Sequence, residues 1–144
     1  MRIFTIGFTK CSAEDFFGRL QRSGARRVVD IRLNNVSQLA GFAKKEDLRY
    51  FLGALCHMDY AHQPLLAPTQ ELIDGVHKGG LSWPEFEPRF LALLAERQVE
   101  RVLRREDLDG ACLLCSEDTP HKCHRRLVAQ YLGEKWGAVD VVDL

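Results

Sequence analysis

The chain has 144 residues, of which 46% are hydrophobic and 28% charged, as is typical of one globular domain with a real core. Its 20 basic and 20 acidic residues balance, which argues against a protein that coats nucleic acid or binds membranes through a polybasic surface. No apolar run approaches the roughly 20 residues that span a bilayer, and the N-terminus lacks the pattern of a signal peptide. We therefore expect a cytoplasmic protein with reduced thiols, and the odd number of cysteines, five, agrees with that.

Strand and helix patterns alternate along the chain. Apolar and β-branched runs predict strands at residues 2–6, 27–31, 59–62, 111–115 and 139–142. Apolar periodicity and capping signals predict helices at residues 13–22, 44–56, 70–78, 84–101 and from residue 120 onward. The alternation predicts a single α/β domain over residues 1–144, with helices flanking a largely parallel sheet. The apolar face of the longest helix, with Phe90 and Leu94, is either core or a homodimer surface.

Chemically useful residues follow three of the predicted strands. In an open α/β sheet, ligands bind outside the carboxyl ends of the strands. The first strand is followed by Gly7 and Thr9, the second ends in Asp30-Ile31-Arg32, and the fourth in Cys115-Ser116-Glu117. Strand parity puts Asp30 and Arg32 on the same side of the sheet, which favours a shared site.

The stretch from residue 111 to residue 126 reads A-C-L-L-C-S-E-D-T-P-H-K-C-H-R-R and contains three of the five cysteines. The spacing of Cys112, Cys115, Cys123 and His124 is compatible with a zinc site. However, residues three apart on a strand point to opposite faces, so Cys112 and Cys115 are poorly placed to hold one ion or to form a thioredoxin-like pair. Cys112 is therefore interpreted as a small core residue, as are Cys11 and Cys56.

Cys115 and Cys123 have a different setting. Cys115 lies at a strand end, and Cys123 is predicted in the first turn of the next helix, where the helix dipole stabilises a thiolate. The adjacent His124 and Arg125 add positive potential. Each of the two thiols is either reactive or structural on this evidence, and His124 either borders a pocket or is a hydrogen-bonded buried histidine.

Several separated motifs resemble the family known as domain of unknown function 488. They are T-I-G-F-T at residues 5–9, D-I-R at residues 30–32, the loop S-Q-L-A-G-F-A-K-K-E-D-L at residues 37–48, H-Q-P-L-L-A-P-T at residues 62–69, and L-L-C-S-E-D-T-P-H-K-C-H-R at residues 113–125. The resemblance implies an α/β fold and no assigned reaction. The positions that match its motifs are Thr5, Gly7, Asp30, Arg32, Ser37, Cys115, Glu117, Cys123, His124 and Arg125. Phe8 and Thr9 stand where the family often has histidine and serine.

The leading hypothesis is an enzyme with a cysteine-centred site that acts on a small anionic substrate, such as a nucleotide or a nucleic-acid component. Cys115 or Cys123 is the candidate nucleophile or sulfur carrier, and His124 its acid–base partner. Asp30 and Glu117 are general bases, or they orient the arginines. Arg32 and Arg125 hold the anion, or Arg32 only forms an ion pair with Asp30 or Glu117. Gly7, Thr9 and Ser37 complete the candidate binding site, and the sequence identifies no cofactor.

Two alternatives stay open. The first is a module that binds nucleic acid or a nucleotide without chemistry, through the arginines at positions 22, 26, 27, 32, 125 and 126. The second is an iron or zinc site formed by Cys115, Cys123 and His124. Phe42, in a polar loop, either stacks on a bound ring or folds under its own loop.

Overall fold

The computed structural model describes residues 1–34, 41–115 and 124–144. Five strands are present in these residues: β1 Arg2–Gly7, β2 Arg27–Asp30, β3 Asp59–His62, β4 Ala111–Cys115 and β5 Asp140–Asp143. They form one sheet in the order β3-β2-β4-β1-β5, and neighbouring strands are parallel throughout. The predicted α/β fold is therefore confirmed, with each strand within about one residue of its predicted place.

The described α-helices are α1 Ala13–Ser23, α2 Lys45–Phe51, α3 Gln70–His77, α4 Trp83–Arg97, α5 Val99–Val102, α6 Arg105–Leu108 and α7 His124–Trp136. A π-helix, Leu52–Cys56, continues α2. The prediction of one helix over residues 84–101 is wrong at its end. Gln98 has a φ of 52°, in the left-handed region, and it separates α4 from α5. The predicted start of the last helix at residue 120 lies outside the described residues. No helix among the described residues has the length and apolar character needed to cross a bilayer.

Alternate residues of the central strands pack into two separate cores. Val29, Leu113 and Cys115 belong to the core that α4 and α7 cover. Val28, Cys112 and Leu114 belong to the core beneath α1 and α2. Because side chains alternate across a strand, the two cores are the two faces of the sheet. Cys112 and Cys115 thus point to opposite faces, as the sequence predicts.

The apolar face of α4 lies inside the first of these cores. Phe90 and Leu94 are fully buried there against the sheet and α7. Of the two interpretations of this face, core and homodimer surface, the structure supports core.

The chain leaves β4 towards one face of the sheet, and it leaves the two neighbouring strands, β1 and β2, towards the other face. β1 and β2 are followed by α1 and α2 on one face, whereas the helix after β4 is α7, on the other face. Since β4 lies between β2 and β1, the direction of the connections changes on both of its sides. In open α/β sheets such a change typically leaves a crevice at the carboxyl ends of the strands, and the corresponding position in this sheet is beside Cys115.

Candidate active site at the carboxyl ends of the strands

Charged side chains are buried at the carboxyl edge of the sheet. Among the described residues, the buried polar or charged side chains are Thr5, Asp30, Arg32 and Arg125. Thr5 lies within β1, and its hydroxyl donates to the carboxylate of Asp143 on the neighbouring β5. The other three lie at or beyond the carboxyl ends of β2 and β4, or at the start of α7. Burial of charge is costly unless the groups are paired, so this concentration marks the edge as the candidate site.

Asp30 and Arg32 form a buried, two-pronged ion pair. Arg32 Nε donates to Asp30 Oδ1 and Nη2 to Oδ2, both at 2.8 Å, and the exposed fractions of the side chains are 0% for Asp30 and 3% for Arg32. The Arg32 backbone N–H and the Tyr60 hydroxyl also donate to this carboxylate, at 3.1 Å and 2.5 Å. Burial alone would raise the pKa of Asp30, but the bonds and charge of Arg32, with the Tyr60 bond, lower it below its ordinary value.

The same contacts show what Asp30 and Arg32 do in this structure. Both oxygens of Asp30 already accept hydrogen bonds, so the geometry favours Asp30 as the group that orients Arg32 over a role as general base. Arg32 donates from Nε and Nη2 to Asp30, so it forms the ion pair that was one of its two predicted roles. Glu117, the other carboxylate considered for this pair, lies outside the described residues.

Two further contacts hold Arg32 in place. Its guanidinium carbon lies 5.2 Å from the centre of the Phe8 ring, a cation–π arrangement. Its backbone carbonyl accepts a hydrogen bond from His62 Nε2 at 2.8 Å. Nη1 is the guanidinium nitrogen that has no hydrogen-bond acceptor among the described residues, although it is buried. Arg32 is therefore oriented on three sides, with one donor nitrogen left over.

Cys115 is in contact with the second buried guanidinium. Arg125 Nη1 lies 3.2 Å from the sulfur of Cys115, and the exposed fraction of each side chain is 1%. Arg125 comes from the first turn of α7, and Cys115 is the last residue of β4, paired in register with Gly7 of β1. Cys115 is disulfide-bonded in the structure. An arginine beside a cysteine sulfur stabilises the thiolate when the cysteine is reduced.

His124 connects α7 to the end of β2. Its Nε2 lies 2.7 Å from the backbone carbonyl oxygen of Ile31, which can only accept, so Nε2 carries the proton and Nδ1 carries the lone pair. The ring packs edge-on against Phe90. Burial, with the positive charge of Arg125, lowers the pKa of His124 to about 4. The imidazole is therefore neutral at pH 7, the form in which it can act as a base.

The remaining predicted site residues divide into two groups. Gly7 is buried at the end of β1, where its carbonyl accepts from Arg19 Nη2 at 3.4 Å, and Thr9 is half-buried in the loop that follows. Ser37, Glu117 and Cys123 lie outside the described residues. The predictions that place them in the site, and the metal site that needs Cys123, stay predictions. Elsewhere, no group of three or more potential metal ligands occurs among the described residues.

The cysteines assigned to the core differ in their burial. Cys112 is fully buried and its pKa is raised by burial, as expected of a structural thiol. Cys11 and Cys56 are half-buried and pack at the margin of the core beneath α1 and α2. Phe42 belongs to the same core, with its ring centre 5.4 Å from that of Phe16 and 5.8 Å from that of Phe17. Phe42 therefore packs against α1.

Sequence reasoning missed three residues of the site: Phe8, Tyr60 and His62. Tyr60 and His62 reach it because β3 pairs with β2 in a register that sets Asp30 opposite His62. Tyr60 and His62 are two apart on β3, so they lie on the same face of that strand. This pattern indicates a site residue only when the neighbouring strand is known to be β2. Phe8 stands where the family often has histidine, and its ring contacts the guanidinium of Arg32 and helps to orient it.

Comparison with known proteins supports the resemblance. Residues 12–132 match the family model described as "Domain of unknown function DUF488". Searches of curated proteins and of solved structures find no significant match. The matched segment includes β2, β3, β4 and the start of α7, and with them Asp30, Arg32, Cys115 and Arg125. The chain belongs to the DUF488 family.

Proposed function

We propose that the chain is a cysteine-dependent enzyme that acts on a small anionic substrate at the carboxyl ends of β1, β2 and β4. The observation that carries this proposal is the buried contact between Arg125 Nη1 and the sulfur of Cys115. A guanidinium in a poorly solvated site stabilises a thiolate more than the corresponding thiol, and the thiolate is the nucleophile. The disulfide-bonded Cys115 must first be reduced, and we place the enzyme in the cytoplasm, where thiols are kept reduced.

The other residues of the site have complementary roles in this proposal. The reduced sulfur of Cys115 attacks the electrophilic atom of the substrate, and the displaced group leaves with the bonding electron pair. His124, neutral and with the lone pair on Nδ1, takes the proton that the Cys115 thiol loses on becoming the thiolate. Arg32, held by Asp30, orients the anionic group of the substrate.

The nucleic-acid-binding alternative has less support from the geometry. Arg26 donates to the backbone carbonyls of Glu106 and Asp109, and Arg27, at the start of β2, lies 3.7 Å from Asp107. Arg32 and Arg125 are buried at the other end of the strands. The six arginines therefore do not form one surface for a phosphate backbone, and we do not propose this function as a second candidate.

Alkylation of the reduced protein tests the role of Arg125. Cys115 and Cys112 are both buried, but a guanidinium contacts the sulfur of Cys115, whereas burial raises the pKa of the Cys112 thiol. At pH 7 we therefore expect iodoacetamide to label Cys115 faster than Cys112, with site-resolved mass spectrometry as the readout. Arg125→Gln removes the charge beside the sulfur, and it should slow labelling of Cys115 by on the order of tenfold. Arg125→Lys keeps the charge and should retain part of the rate. The matched control is Arg126→Gln, the exposed neighbour on the same turn, which should leave the rate unchanged.

Two results contradict the proposal. One is labelling of Cys115 that is no faster than labelling of Cys112 in the folded, reduced protein, or that is equally fast without Arg125. The other is full turnover by a Cys115→Ser variant on a substrate identified for the wild-type protein.

A further inference from the structure

The guanidinium of Arg32 has one nitrogen whose bonding is unexplained by the described residues. Nε and Nη2 both donate to Asp30, and Nη1 is buried with no acceptor among those residues. A buried N–H group without an acceptor destabilises a structure, so such groups are usually satisfied by an oxygen atom from some source. At the carboxyl edge of an open α/β sheet, a ligand is a natural source.

The surroundings of Arg32 restrict how a ligand can approach it. The Phe8 ring lies against one face of the guanidinium at 5.2 Å, and Asp30 occupies one edge with two bonds. Asp30 is itself held by Tyr60 and by the backbone N–H of Arg32, so the ion pair has little freedom to separate. A ligand therefore meets a single donor nitrogen in a fixed position, in place of a free arginine fork.

Charge then distinguishes between classes of anion. Arg32 is already neutralised by an ionised Asp30, and a second negative group at Nη1 lies within a few ångströms of that carboxylate. A carboxylate, with one delocalised negative charge, gains a hydrogen bond from Nη1 and is only modestly repelled by the Asp30 carboxylate. A phosphate dianion gains the same hydrogen bond, but its two charges are repelled about twice as strongly by Asp30. The other buried cation among the described residues, Arg125, is in contact with the sulfur of Cys115.

We propose that Arg32 Nη1 binds a carboxylate of the substrate, and that the site discriminates against phosphate dianions. This inference rests on the proposed function, because it names the anionic group of the substrate on which Cys115 acts. It assigns Phe8, Tyr60 and Asp30 as positioning residues that aim Nη1.

Titration of the ¹⁵N-labelled protein with acetate tests the inference, and the probe signal is the Nε–H resonance of Arg32. Arg32→Lys identifies this resonance by its loss. We expect a saturable shift with acetate, and at least tenfold weaker binding of inorganic phosphate at a pH where it is mainly dianionic. Chloride at matched ionic strength is the reference salt. Arg27→Lys, at the opposite end of β2, is the matched control and should bind acetate as the wild type does.

A second measurement follows the stability of the folded protein. Acetate should raise the urea midpoint of the wild-type protein relative to chloride, and phosphate should do so less, because a ligand that binds only the folded state stabilises it. Phosphate that binds as tightly as acetate, or a failure of both anions to bind, overturns the inference. Acetate protection that persists in Arg32→Lys also overturns it.

Alkylation of Cys115 in the same samples separates the two proposals. Fast, Arg125-dependent labelling without acetate binding leaves the cysteine enzyme standing and rejects the carboxylate site. Slow labelling that Arg125 does not influence rejects the cysteine enzyme, whatever the acetate titration shows.

Discussion

At the scale of single residues, the chemistry of the site depends on what each side chain has left after its own contacts are made. Both carboxylate oxygens of Asp30 accept hydrogen bonds, from Arg32 and Tyr60, so Asp30 holds Arg32 in place. Arg32 has one guanidinium nitrogen, Nη1, without an acceptor among the described residues. His124 donates from Nε2 to the carbonyl of Ile31, so its lone pair is on Nδ1. A residue type in a motif therefore indicates which roles are available, and the contacts select among them.

His124 provides the prediction at this scale. Because burial lowers its pKa to about 4, its ring should stay neutral, with the proton on Nε2, from pH 7 down to nearly pH 4. A folded-state pKa below the ordinary value of 6.5 means that the unfolded chain binds the proton more tightly. The free energy of unfolding should therefore fall as the pH falls from 6.5 towards 4.

Long-range ¹H–¹⁵N NMR spectra report both the tautomer and the titration of His124. His124→Gln assigns the signals by their loss, and it should reduce the dependence of stability on pH in that interval by about 2–3 kcal/mol. A ring that titrates near pH 6.5, or that carries its proton on Nδ1, contradicts the prediction.

At the scale of elements, the amino ends of the central strands are joined through Gly110. Its N–H donates to the carbonyl of Arg2 at 2.7 Å, and its carbonyl accepts from the N–H of Arg26 at 2.8 Å. Its φ of 77° lies in the left-handed region, which glycine adopts without strain. A Cβ atom at this position would lie 2.9 Å from Arg26 Nε, and Arg26 is anchored by its bonds to Glu106 and Asp109. Position 110 thus excludes side chains for two reasons, strain and space.

Alanine substitution separates these two reasons. Gly24, which ends α1 with a φ of 80°, has open space where its Cβ would lie, so Gly24→Ala measures strain alone, about 1 kcal/mol. Gly110→Ala should lower the free energy of unfolding by a further 1–3 kcal/mol, roughly, because Arg26 must move. Urea unfolding measures both values. Equal losses for the two variants contradict the predicted steric contribution.

At the scale of the whole molecule, the candidate site at the carboxyl edge of the sheet has a cost in stability. Buried charges are placed there that a well-packed apolar core would not need. Asp30 is the most consequential of them, since its removal leaves Arg32 as a buried cation without its partner. The fold tolerates this arrangement because two apolar cores on the faces of the sheet supply most of its stability.

Asp30→Asn should therefore lower the free energy of unfolding at pH 7 by about 3–5 kcal/mol. Because the pKa of Asp30 lies below its ordinary value of 3.8, its contribution is present above that pH and is lost as the pH falls further. The difference between the variant and the wild type should shrink in strong acid. The matched control is Asp107→Asn, at a half-exposed partner of Arg104 and Arg27, which should cost far less because solvent screens this ion pair. Similar losses for both variants, or a difference independent of pH, contradict the prediction.

The sequence by itself determined the class of fold, the strand positions and the faces on which neighbouring residues lie. These features depend on local periodicity, so Asp30 and Arg32 could be assigned to one side of the sheet and Cys112 and Cys115 to opposite sides. The end of α4 at Gln98 was missed, because the apolar pattern continues into α5 and no glycine marks the break.

Only the tertiary structure decided which strand ends meet. The order of strands in a parallel sheet is set by contacts between residues far apart in the chain, and no local pattern encodes it. That order brings Tyr60 and His62 beside Asp30 and Arg32, places β4 where the connections change side, and sets Arg125 against Cys115. The candidate site therefore forms only when the sheet is assembled, and each motif supplies some of its residues.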